Sequence, residues 1–267
     1  MDRESGAGNG QSPSEPAQPR QRWRLAFRCA ASDQPDARRD LVAGWVERLA
    51  ATGLPLASRG AGRARQALAL GAPRPLGMAA ERELADLVLA ERLPAWRVRE
   101  AVAATLPDGY HLVELGDVWL GAPPLAGAVA GADYRVTLLS HADPGPEILH
   151  EAADALLAEA SLPRVREKGG RDVVYDLRPL VAGIEILDGP PTSLRIRVRF
   201  DPERGSGRPE EVLGALAERL GRPVGAGNTV RERLLLADDL AEHIAEERHP
   251  GRSPGPHPRP VPNGTAV

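Results

Sequence analysis

Arg195, Arg197 and Arg199 alternate with Leu194, Ile196, Val198 and Phe200, and this pattern is the most pointed chemistry in the chain. Successive side chains of a strand face opposite ways, so the three guanidiniums share one face and the apolar groups the other. Residues two apart lie about 6.6–6.8 Å apart along a strand, a spacing like that of successive nucleic-acid phosphates. Arg164, Arg166, Lys168 and Arg171 surround a Gly169-Gly170 turn nearby, and Arg178 follows. Segment 161–200 holds eight basic and five acidic residues, whereas the whole chain has a formal net charge of −3; the basic excess is local. RNA held through its phosphates, and therefore salt-sensitive, is one reading of such a ladder. No aromatic residues interleave with the arginines, which removes the base-stacking platform of a sequence-specific reader. The plainer reading is a solvated strand face, with Asp172, Asp176 and Glu185 placed to neutralise arginines from neighbouring strands. Asp176 and Arg178 share a strand face and are placed to pair with each other or with a neighbour.

Catalytic constellations are missing from the sequence. The six histidines are scattered, with no pair at helical spacing, and a metal site needs several ligands brought together. There is no Walker-type phosphate loop and no nucleophile elbow. Gly60-Ala61-Gly62 is a lone G-x-G, and Asp238-Asp239 reads as a helix N-cap rather than an acid/base pair. Arginine outnumbers lysine so heavily that Lys168 is the only lysine. That bias fits a GC-rich genome and lowers the weight of any arginine count. Cys29 is the only cysteine, so no intrachain disulfide can form, as suits a reducing cytoplasm. No apolar run approaches the roughly 20 residues of a membrane span, and the polar N-terminus lacks the pattern of a secretory signal. The chain therefore reads as a cytoplasmic protein that acts by binding.

The elements that must position these residues follow from periodicity. Trp23, Leu25 and Phe27 alternate in a strand at 22–28, and a helix at 36–52 carries an apolar stripe of Leu41, Val42, Trp45, Val46 and Leu49. Thr52-Gly53-Leu54-Pro55 stops it. Strands near 66–71 and 82–89, a helix at 95–106, a Pro107-Asp108-Gly109 turn and a strand at 110–117 complete a first set. After Gly121-Ala122-Pro123-Pro124 the order recurs: a strand with Tyr134, Val136 and Leu138, a helix at 145–159, a hairpin at 163–177, and strands at 180–187 and 193–200. A helix at 209–220 opens on Pro209 with Glu210 and Glu211 favouring its dipole, and a strand at 229–236 and a short helix at 238–247 close the set. The spacing predicts an α+β fold of two tandem ferredoxin-like β-α-β-β-α-β domains, with a β-hairpin inserted in the second. The expected boundaries are a disordered arm at 1–20, domains at 21–119 and 132–247 joined by a linker at 120–131, and a proline-rich tail at 248–267.

Several motifs resemble the radical-SAM-linked protein family, a bacterial family of unknown function encoded beside, or fused to, a B12-binding-type radical SAM enzyme. They are Arg166-Glu167-Lys168-Gly169-Gly170, Tyr175-Asp176-Leu177-Arg178-Pro179, Gly205-Ser206-Gly207-Arg208-Pro209-Glu210-Glu211-Val212-Leu213 and Val230-Arg231-Glu232. In the first half the spacing holds across Asp40-Leu41, Gly53-Leu54-Pro55-Leu56 and Pro75-Leu76-Gly77. The likeness spans about Trp23 to Leu236. Where the family reads S-H-L-D-L, this chain has Ala37-Arg38-Arg39-Asp40-Leu41; where it reads S-x-G-F-N-P-x-P, the chain has Arg59-Gly60-Ala61-Gly62-Arg63-Ala64-Arg65-Gln66. The first half is thus the divergent one. A radical SAM cluster needs three cysteine thiolates, and Cys29 alone cannot hold it.

The resemblance implies a non-catalytic accessory protein that meets a radical SAM enzyme by protein–protein contact, with no cofactor of its own. An RNA-binding module of an RNA or ribosome modification system, using the basic strand face, is the alternative. The candidate binding residues are Lys168, Arg171, Asp176, Arg178, Arg195, Arg197, Arg199, Arg208 and Arg231; none is assigned to catalysis or to a metal.

Overall fold

A computed structural model describes residues 20–31, 38–57, 67–187 and 189–241. The expected arm, the Gly60-Ala61-Gly62 stretch, the proline-rich tail and the end of the last helix lie outside the described residues; residues 237–241 are helical.

Strand β1 (Gln21–Cys29) leads into helix α1 (Arg38–Ala51), followed by β2 (Leu68–Leu70), β3 (Ala79–Leu89), α2 (Ala95–Thr105) and β4 (Tyr110–Val118). A four-residue helix α3 (Leu125–Ala128) runs into β5 (Val129–Leu138), which therefore begins inside the segment read as a linker. Helix α4 (Pro146–Leu157), the hairpin strands β6 (Pro163–Lys168) and β7 (Arg171–Asp176), then β8 (Val181–Leu187) and β9 (Ser193–Asp201) come next. The chain continues through β10 (Gly205–Ser206), α5 (Pro209–Leu220) and β11 (Ala226–Leu236).

The result is a mixed α+β fold around one nine-stranded sheet, ordered β10-β9-β5-β11-β3-β1-β4, with β2 also on β3 and β8 also on β9. The hairpin forms a separate two-stranded sheet. In the first half β1 lies between β3 and β4, with β2 beyond β3; in the second, β5 lies between β9 and β11, with β8 beyond β9. The halves meet where β11 pairs in parallel with β3, Val230 opposite Ala79 and Arg231 opposite Ala80.

Periodicity places the cores. Trp23, Leu25 and Phe27 of β1 pack with Val42, Trp45 and Leu49 of α1 and with Val98 and Val102 of α2. Ala132, Tyr134, Val136 and Leu138 of β5 and Leu194, Ile196 and Val198 of β9 pack under α4 and α5. Ladder partners share a sheet face, and the ladder runs Tyr134–Arg231–Ala80–Cys29. Cys29 is two residues from Phe27, so both helix pairs cover the same face. The opposite face carries the alternate residues, among them Arg195, Arg197 and Arg199.

Candidate functional site

The arginine ladder exists, but its charges are already used. Asp133 on β5 lies opposite Arg197 on β9 and accepts from Arg197 Nε at 2.8 Å and from Arg233 Nε at 2.9 Å. Arg195 donates to Glu232 at 2.6 Å and to Glu185 at 2.7 Å. Arg135, opposite Arg195 on β5, bridges Glu81 and Glu232. Four guanidiniums (Arg135, Arg195, Arg197, Arg233) thus interlock with four carboxylates (Glu81, Asp133, Glu185, Glu232). Arg199 donates to the Pro179 carbonyl at 3.1 Å. The face is therefore not an open row of cations: Arg195 and Arg197 are compensated by carboxylates, and Arg199 is held at a backbone carbonyl. Strand pairing brought in acids from β5 and β11 that no local window of sequence contains. Burial pushes the Asp133 carboxyl up, but hydrogen bonds from the two arginines more than reverse this and leave it below its ordinary value.

Arg231 departs furthest from a surface role. It has no exposure, donates twice to Glu83 at 2.6 Å and once to the Pro73 carbonyl at 2.8 Å. Burial opposes its charge, while Glu83 and Tyr134 hold its pKa above the ordinary value. It is a strut across the β3–β11 seam. Asp176 and Arg178 are likewise fastenings. The Asp176 carboxylate accepts the Leu162 N–H at 2.7 Å and the Arg178 N–H at 2.9 Å, which lowers its pKa. The Arg178 guanidinium reaches the Leu157 carbonyl at 2.6 and 2.9 Å, satisfying the C-terminal end of α4.

The hairpin turns at Gly169 and Gly170, both with positive φ (60° and 74°), as two adjacent glycines permit. Lys168 pairs with Arg171 across it, and Arg171 is exposed. Its register sorts the remaining side chains. Arg164 opposite Tyr175 and Arg166 opposite Val173 share one face; Val165 opposite Val174 and Glu167 opposite Asp172 share the other. The first face turns inward. Arg164 pairs with Glu218 of α5 at 3.0 Å, and Arg166 lies over the Tyr175 ring at 4.6 Å and donates to the Arg204 carbonyl at 3.4 Å. Tyr175 faces Glu211, and burial together with that carboxylate pushes its phenol well above the ordinary range. The outward face carries Val165 and Val174, 62% and 71% exposed, flanked by Glu167 and Asp172, both exposed. Sequence reading expected cations to dominate the hairpin surface; its outer face is apolar with acidic ends.

Arg208, like Arg171, is an exposed candidate. Among the described residues it makes no hydrogen bond or ion pair. It precedes α5, whose N-terminus has no side-chain cap, and it lines a groove of about 780 Å³. The groove runs between loop 71–75 of the first half and loop 206–210 of the second, with Tyr134 in its lining. Two of its glycines are closely packed, Gly207 against backbone and Gly71 against the end of a side chain. A Cβ on Gly207 would lie 2.7 Å from the Leu180 carbonyl oxygen, and one on Gly71 would lie 2.9 Å from Leu234. From the sequence, 205–209 is a loop opening a helix, with nothing local to bring Arg74, Tyr134 and Phe200 to it, and here they join it. The signal was indirect: Pro75-Leu76-Gly77 and Gly205–Leu213 had both stood out as motifs without a reason to meet. Among the described residues no group of three or more His, Cys, Asp or Glu side chains is gathered as a metal site, and no helix is long and apolar enough to cross a membrane.

Residues 60–209 match the family described as an uncharacterized protein conserved in bacteria (DUF2344). No curated protein matches the chain. Among solved structures, the chain is similar to a Cbf5-Nop10-Gar1 complex, with a TM-score of 0.41 and 12% identity over 85% of this chain and 57% of that one. It is also similar to the archaeal box H/ACA sRNP Nop10-Cbf5 complex, with a TM-score of 0.36 and 13% identity over 85% and 56%. A heavy metal efflux pump follows, with a TM-score of 0.20 and 11% identity over 89% and 30%. The chain thus spans little more than half of the first two, and likenesses this remote carry no argument about function.

Proposed function

The chain belongs to the uncharacterized bacterial family DUF2344, and from that premise we propose that it is a non-catalytic accessory protein working by protein–protein contact in the cytoplasm. Its partner in this reading is a radical SAM enzyme. The partner's identity is supported by the motif resemblance, which includes the hairpin's turn (166–170), the end of its second strand (175–176) and the loop it packs against. Architecturally we read two ferredoxin-like units, 21–119 and 132–247, sharing one sheet. The support is the repeated element order and the matching strand neighbours, β4-β1-β3-β2 and β11-β5-β9-β8.

The observation that carries the contact reading is the hairpin's outer face. Val165 and Val174 form a directly opposed, exposed pair on a two-stranded sheet outside the main one. Exposed valines cost solubility and bury nothing in the free chain, so a partner that covers them gains hydrophobic energy. Glu167 and Asp172 at the rim favour a partner whose apolar patch is bordered by cations. On the strand face 194–200, on which an RNA-binding role would rest, Arg195 and Arg197 are committed to internal carboxylates and Arg199 donates to the Pro179 carbonyl.

Co-expression of the full chain with a radical SAM enzyme of the B12-binding type that the resemblance implies should recover both on affinity purification. Val165→Glu with Val174→Glu should reduce recovery at least tenfold while leaving the thermal midpoint within a few degrees, because both side chains are already in water. Failure to co-purify, or capture indifferent to the double variant, sinks this reading.

A further inference from the structure

Beyond the partner contact, and independently of it, we infer that the groove between the two halves is a small-molecule site for a flat apolar body bearing one anionic group. Its volume of about 780 Å³ falls within the roughly 300–1,000 Å³ of ligand pockets, which combine apolar walls with a few placed polar groups. Phe200 and Val129, with the rings of Pro73 and Pro75, give the apolar walls. Phe200 offers an aromatic surface against which a planar body can stack.

Charge selects the sign of the ligand. Arg208 lines the groove and, among the described residues, is unpaired. Arg74 lines it too, and among the described residues its guanidinium donates to the carbonyls of Met78 and Ala30, neutral acceptors that do not compensate its charge. Glu210 is the single carboxylate in the lining, so two arginines face one acid. The buried Arg231 and Glu83 near Tyr134 cancel each other. An anionic group therefore meets a net positive groove, with Arg208 as its direct partner. At the groove's second loop the backbone of Gly207 packs closely against that of Leu180.

A carboxylate and a phosphate ester share this chemistry, and calorimetry with 1-naphthoate, 1-naphthyl phosphate and neutral 1-naphthol on the full chain separates them. At least one of the two anions should bind with one-site stoichiometry and at least tenfold more tightly than the naphthol; the tighter one identifies the anionic group. Arg208→Ala should erase that preference without moving the thermal midpoint, since the side chain is exposed. Ser206→Trp, also at an exposed position, should block binding of all three. The inference is overturned if neither anion binds at millimolar concentration, if Arg208→Ala leaves the preference intact, or if Ser206→Trp leaves binding unchanged. None of these outcomes touches the hairpin contact.

Discussion

At the scale of single residues, most of the cations that look like binding groups are fastenings. Asp133 shows how the sheet uses them. Its side chain is 1% exposed and accepts from Arg197, which is 12% exposed, and from Arg233. Removing one partner of a buried pair costs about 3–5 kcal/mol because the other charge is stranded; Arg233 is more exposed, so about 3 kcal/mol is expected for Asp133→Asn near pH 7. The pKa of this carboxyl is depressed in the folded protein. Its contribution is therefore present above the unfolded value of about 3.9 and is lost as pH falls through the folded value. Urea titrations of the wild type and Asp133→Asn should differ most at neutral pH and converge in acid; a gap that persists below both values would refute the assignment. Arg195, Arg197 and Arg199 were legible in the sequence as one face of a strand, but their partners were not. Of the three acids expected to neutralise them, Glu185 holds Arg195 while Asp176 accepts backbone N–H groups instead; Asp133 and Glu232 enter only through register, 64 and 37 residues away from the arginines they hold.

At the scale of elements, local chemistry fixed boundaries well wherever a terminator stands in the sequence. Helix α5 starts at Pro209 and ends before Gly221, which has φ of 64°, and the hairpin turns on its two glycines. Less legible was why a glycine, Gly131, stands on the charged face of β5. It pairs with Arg199, and a Cβ there would lie 2.3 Å from the Val198 carbonyl oxygen. The two backbones approach too closely for any side chain. Gly131→Ala should cost roughly 2–3 kcal/mol through forced strand separation, read as a lower urea midpoint at constant m-value; an unchanged midpoint would show that β9 yields freely. The hairpin's cations were equally misread from composition alone, because alternation sends Arg164 and Arg166 inward and leaves Val165 and Val174 outside.

At the scale of the whole molecule, the two halves are one mechanical body. They share the β3–β11 ladder and the Arg231–Glu83 strut, and the second core takes in Ala26 and Leu84 from the first half. The repeated element order was legible; the joining of two sheets into one was not, since parallel pairing across 151 residues (Arg231 with Ala80) leaves no local mark. All four tryptophans (Trp23, Trp45, Trp96, Trp119) lie in the first half, so their fluorescence reports on that half alone, while far-UV circular dichroism reports on both. The two denaturation curves should coincide; separate midpoints would mean that the seam does not couple the halves. The seam also sets a timetable for the nascent chain. Translation at about 5–20 residues per second puts roughly 7–30 s between the synthesis of Glu83 and that of Arg231. Throughout that interval the β3 edge awaits its parallel partner and a buried-to-be carboxylate has no counter-charge. The first half leaves the ribosome as an intermediate with an open strand edge, and it is the last strand of the sheet that closes it.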